Sequence, residues 1–205
     1  MKIERRIVEA QLEARAAADT TPATLVGYAA VFDREAVIAG MFRERIAPGA
    51  FATAIAEDDV RALFNHDANY VLGRTKAGTL QLREDSTGLL YEVQPPDTQV
   101  ARDLMVSIAR GDVSQSSFGF EVVSDQWTRS ENRADLPVRT ILEARLFDVS
   151  PVTYPAYEET TAEARAAAAE LRESAETVLE RGLGAQQRTE TALRVSRQWV
   201  IEATL

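Results

Sequence analysis

The sequence predicts a mainly β protein of the α+β class, its strands closed or sandwiched around a core, with two short inserted helices and a helical C-terminal extension. Three observations predict it. Segments rich in Val, Tyr and Phe recur from the N-terminus to Pro155, separated by Gly, Pro and Ser-Thr-Gly turn signals. Apolar residues switch to helical spacing in two places, near residues 49–57 and 99–110. After Tyr157 the composition changes sharply to Ala, Glu and Arg, which are good helix formers.

Residues 1–13 alternate loosely, with Ile3, Val8 and Leu12 among charges, and read as a short strand. Residues 14–23 are small and polar and read as a linker. Thr24–Phe32 is a strand rich in Val, Tyr and Phe, and 33–48 is mixed, punctuated by Gly40 and Pro48. Gly49–Glu57 places Phe51 and Ile55 four apart, the mark of a short helix. Val60–Asn65 is the next strand and delivers His66 at its end.

Strands follow at 70–75, 79–84 and 88–94, with turns at Gly78 and at Ser86-Thr87-Gly88. Pro95-Pro96 stops the last of them, because proline donates nothing to a ladder. Asp97 or Thr98 caps a helix from Gln99 to Arg110, and Gly111 ends it. Val113–Trp127 is a long β-type run, 128–137 a polar loop, and Val138–Val149 a further strand, ended by Pro151 to Pro155. A long helix from about 159 to 181 stops at Gly182, and 185–205 fits helix or strand equally.

Composition excludes several function classes. The chain of 205 residues has no cysteine and one histidine, so thiolate and His-rich metal sites are ruled out. No cofactor or metal is expected. The net charge of -9 disfavours phosphate backbones, so nucleic acid is not expected as a partner. No apolar run reaches the roughly 18 residues of a membrane span. The start, MKIERRIVEA, lacks the apolar core of a secretory signal.

Nucleophilic catalysis by serine needs a hydroxyl, an imidazole to take its proton and a group to orient that imidazole. The only imidazole is His66, in FNHD, where an apolar strand meets a loop. The serines cluster in GDVSQSSFGF as Ser114, Ser116 and Ser117. Ser117 is followed two residues on by Gly119, which lets the backbone approach a substrate closely. In a strand, Ser116 faces away from Ser117. The orienting acid is Glu143 or Asp148, both in the 138–149 strand. Each residue type alone is also ordinary: a strand-end histidine and exposed strand carboxylates are common in proteins that catalyse nothing.

The segments LVGYAAVFD, FRERIAPGAF, VRALFNHD, VLGRTKAGTLQLREDSTGL, GDVSQSSFGF and LFDVSPVTYPAY occur in that order between Leu25 and Tyr157. In this the chain resembles the prohead maturation proteases of tailed bacteriophages, which share the fold of the herpesvirus capsid protease. The resemblance implies a closed β-barrel surrounded by helices, with a protease domain over 1–157 (core match 25–157) and a helical extension over 158–205. It implies a serine endopeptidase with Ser117 as nucleophile and His66 as base. It places the third member on the strand after the nucleophile strand, Glu143 by position with Asp148 as the alternative. An arginine near the oxyanion is implied too, with Arg129, Arg133 and Arg139 as candidates. The implied substrates are scaffold segments, the N-terminal segment of the major capsid protein, and the protease itself, cut inside assembling proheads in the host cytoplasm. Self-association is a further implication. The competing expectation is an inactive protease-like scaffold or assembly protein, suggested by the Ala-, Glu- and Arg-rich tail.

Overall fold

The computed structural model describes residues 3–9, 12–17, 23–129, 135–154, 166 and 168–180. Eleven strands, two α-helices, a short 3₁₀ turn at Thr75–Ala77 and a further helical run at 168–180 make up the described chain. The strands are β1 Glu4–Val8, β2 Leu12–Arg15, β3 Thr24–Val31, β4 Ala36–Ile38, β5 Phe42–Ile46, β6 Arg61–Phe64, β7 Asp67–Arg74, β8 Leu80–Glu84, β9 Gly88–Val93, β10 Gln115–Thr128 and β11 Val138–Val152. The helices are α1 Ala52–Glu57 and α2 Gln99–Arg110, with α3 at 168–180. The protein is therefore mainly β, with helices inserted between strands and after them.

The strands form two sheets. One has seven strands in the order β1-β10-β11-β5-β4, with β6 pairing to both β11 and β7. The other is antiparallel, in the order β2-β3-β9-β8. Among the described residues the two sheets are not closed into the expected barrel. The reason lies in β11. Its outer edge is shared between two short strands, β5 along Val138–Ile141 and β6 along Asp148–Val149, both parallel to it. The ladder forks there instead of passing round a circle.

The core lies between the sheets. Leu25, Leu89, Tyr91 and Val93 from one sheet meet Phe118, Phe120, Leu146 and Val149 from the other, all fully or nearly fully buried. Phe118 stacks on Phe120 with ring centroids 4.8 Å apart and meets Phe51 edge-on at 5.7 Å. Burying rings of this size contributes about 1.5–3 kcal/mol each. Helix α2 covers this core with Ala101, Leu104 and Ile108. It starts at Thr98, whose side chain accepts from the Ala101 N–H at 3.3 Å, and stops at Gly111, which takes the left-handed φ of 84°.

Four departures from the sequence reading have simple causes. The N-terminal alternation is two strands rather than one, because the chain changes sheets between Val8 and Leu12. The stretch 33–48 contains the β4–β5 hairpin; β4 has only three residues and the centre of β5, Arg43-Glu44-Arg45, is all charged, so neither shows a period. Strand β7 begins at Asp67, earlier than expected, directly after a tight turn. Strand β11 runs through Pro151 to Val152, because proline lacks a donor but its carbonyl still accepts, here from the Asn65 N–H at 3.1 Å.

Helix α3 is not a free-standing extension. Ala168 and Leu171 pack with Ile38, Phe42 and Trp127 into a second apolar cluster, where Phe42 and Trp127 meet edge-on at 5.1 Å. The expected helix start near 159 and the stretch 185–205 lie outside the described residues.

Candidate active site

The imidazole is positioned by a two-residue hairpin turn. Asn65 and His66 are the whole connection between β6 and β7, and Phe64 pairs directly with Asp67. Both turn residues sit at positive φ, 55° and 57°. Two-residue hairpins favour such backbones, because their twist matches that of the strands. Asparagine visits this region more readily than most residues. The Asn65 side chain then ties the turn to the end of β11. Its Oδ1 accepts from the Thr153 N–H at 2.9 Å, and its Nδ2 donates to Thr153 Oγ1 at 3.2 Å.

The hydroxyl is positioned by strand alternation. Phe118 and Phe120 drive one face of β10 into the core, so Ser117 is turned to the other face. Ser116 goes inward with the phenylalanines and hydrogen-bonds the Tyr91 hydroxyl at 2.8 Å. Burial holds that phenol well above its ordinary range, so it stays neutral. Ser114 precedes β10 and is exposed.

The carboxylate is positioned by register. Across β10 and β11, Ser117 lies opposite Ser150 and Gly119 lies opposite Asp148. Ser117, Gly119, Asp148 and Ser150 therefore share one face. On the other side of β11, Asp148 pairs with Arg61 at the start of β6, the strand that leads to the His66 turn.

These three elements converge. His66 Nε2 is 2.6 Å from Ser117 Oγ, and His66 Nδ1 is 2.5 Å from Asp148 Oδ2. Ser117 is fully buried, while the His66 and Asp148 side chains keep 8% and 12% of their exposure. A carboxylate only accepts, so the proton between His66 and Asp148 belongs to Nδ1. In the neutral ring Nε2 is then the acceptor for the Ser117 O–H. Such a chain can pass the serine proton to the imidazole and stabilise the resulting imidazolium.

The acid on His66 is Asp148. Glu143 lies five residues earlier on β11, beside α1, where it accepts from Thr53 Oγ1 at 3.0 Å. Arg139 does not approach Ser117. It is buried in an ion cluster, donating to Glu44 at 3.0 Å, to Asp125 at 2.6 Å and to Glu4 at 3.2 Å. Arg129 is exposed past the end of β10, and Arg133 lies outside the described residues.

Sequence reasoning missed one residue that touches the site, Ser150, and one contact, that of Gly119 with Asp148. Ser150 Oγ is 2.9 Å from the same Asp148 Oδ2 that faces His66. Gly119 is pressed against Asp148: a Cβ there would lie 2.5 Å from Oδ1. The glycine was visible two residues after Ser117, but its neighbour becomes apparent only with the β10–β11 register. Among the described residues no cluster of His, Asp and Glu could hold a metal ion, and no helix is long and apolar enough to cross a membrane.

Comparison with known proteins gives one match. The family model of the caudovirus prohead serine protease matches residues 9–175. Neither the curated proteins nor the solved structures contain a match to the chain.

Proposed function

The chain belongs to the caudovirus prohead serine protease family, and from that premise we propose that it is an endopeptidase with Ser117 as nucleophile, His66 as general base and Asp148 as the acid that orients the imidazole. The observation that carries this reading is the unbroken contact chain from Ser117 Oγ through both ring nitrogens to Asp148 Oδ2.

The reaction is acyl transfer. His66 takes the Ser117 proton as Oγ attacks a peptide carbonyl, and then protonates the departing amine. Water, activated by the same ring, releases the acyl group and restores the serine. Asp148 fixes the tautomer with its proton on Nδ1 and balances the charge of the imidazolium.

The substrates are scaffold segments, the N-terminal segment of the major capsid protein and the protease chain itself, cut inside assembling proheads in the host cytoplasm. The family assignment supports this choice, since a prohead protease acts on what the prohead contains. The test is co-expression of the wild type or Ser117→Ala with the capsid protein, with the cut ends mapped by mass spectrometry. Full-length capsid protein that persists only beside the variant supports the reading. Equal processing by both removes Ser117 from the reaction.

A further inference from the structure

We infer that Ser150 is a positioning residue for this site: its hydroxyl holds the Asp148 carboxylate in the one rotation that presents Oδ2 to His66. The inference rests on the serine protease reading above and adds a fourth side chain to it.

The argument starts from the freedom of a carboxylate. The torsion that turns an aspartate head is broad and roughly two-fold, so it does not lock itself. Asp148 needs neighbours that choose its orientation. On one side Gly119 leaves a slot, into which Oδ1 fits closely enough to exclude a Cβ. On the other side Oδ2 receives two contacts, the His66 Nδ1–H at 2.5 Å and the Ser150 hydroxyl at 2.9 Å. Ser150 is fully buried and stands two residues along the same strand, directly opposite Ser117. Its place on the strand is set by the same ladder that sets Ser117.

The chemistry needs this second donor. Among the hydrogen bonds described for Asp148, none comes from an arginine or lysine. Its charge is therefore stabilised by the imidazole and by the serine hydroxyl. When Ser117 reacts, the proton arrives on His66, and the Nδ1–H must stay aligned with Oδ2 throughout. A hydroxyl fixed by burial keeps that oxygen in place without adding a charge that would compete with the imidazolium. A merely structural role is the alternative, since any buried serine seeks a partner.

Two readouts on the full chain separate these. The first is the second-order rate at which a fluorophosphonate probe labels Ser117, followed by intact mass, in the wild type, Ser150→Ala and Ser117→Ala. The second is the proton–nitrogen NMR signal of the imidazole, assignable without ambiguity because the chain has one histidine. Ser150→Ala is expected to slow labelling about tenfold, the loss of roughly one hydrogen bond to a charged group. The same variant is expected to broaden the Nδ1–H signal, whatever the change in its melting temperature.

Labelling within twofold of the wild type, with an unchanged imidazole signal, overturns the inference alone. So does slower labelling with an unchanged imidazole signal and a lowered melting temperature, which is the result of fold support only. Wild-type protein that the probe does not label overturns the serine protease reading itself and takes the inference with it.

Discussion

Gly119 lies directly opposite Asp148 across β10 and β11, and the volume its side chain would occupy is filled by the Asp148 carboxylate. The glycine is therefore part of the geometry of Asp148, through the strand ladder, while sitting on β10 two residues from Ser117. Gly119→Ala adds one methyl group whose carbon would stand 2.5 Å from Oδ1. The carboxylate has to move, and the imidazole loses its alignment. Displacements near 1 Å in such sites cost about 10²-fold in rate. The expected result is a fall in kcat of at least about 100-fold with a melting temperature lowered by a few degrees, measured by peptide cleavage and by thermal unfolding.

The two acids of β11 separate cleanly by experiment. Asp148 Oδ2 meets the imidazole, whereas Glu143 meets Thr53 on the surface of α1. Asp148→Asn keeps the shape but offers an amide where a proton acceptor is required, and the analogous change in serine protease triads costs about 10⁴-fold in kcat. Glu143→Gln is expected to leave kcat within about twofold and stability within about 0.5 kcal/mol. Equal losses from both would remove the distinction drawn from the contacts.

The ion cluster at the other end of the sheet gives stability an acid dependence. Burial pushes the Glu4 carboxyl up, but the Arg6 and Arg139 guanidiniums beside it outweigh burial and hold it below its ordinary value of 4.5. A carboxyl with a lowered folded value stabilises the protein above its unfolded value, and that contribution fades as pH falls through the folded value. Glu4→Gln is therefore expected to destabilise the protein by about 1–3 kcal/mol near neutral pH. The gap between wild type and variant should narrow as pH falls below the ordinary carboxyl value of 4.5. Urea midpoints at several pH values check it, and a gap that widens on acidification contradicts the assignment.

Much of this was legible in the residues, for reasons that can be named. Helix α2 shows both its ends because Thr98 and Gly111 are side-chain and backbone devices written into single positions. The orientation of Ser117 away from Ser116 follows from strand alternation alone, and the core confirms it through Tyr91. What the sequence hides is pairing. Glu143 and Asp148 sit on one strand, and the choice between them depends on where β6 joins β11, a parallel contact of two residue pairs without local signature. The same holds for Ser150, an unremarkable serine in VSP until Ser117 is placed opposite it. Closure into a barrel is hidden for the same kind of reason, since alternation reports strands but not how a ladder closes.

Strand β1 runs along the free side of β10, with Ile7 opposite Ser117 and Arg5 opposite Gly119. That seam is closed while residues 4–8 are in place, so a foreign peptide finds no open backbone there to zip onto. Cutting those residues away would bare a row of amide groups right beside Ser117, turning a shielded border into a surface on which shortened copies of the protein would stick to one another.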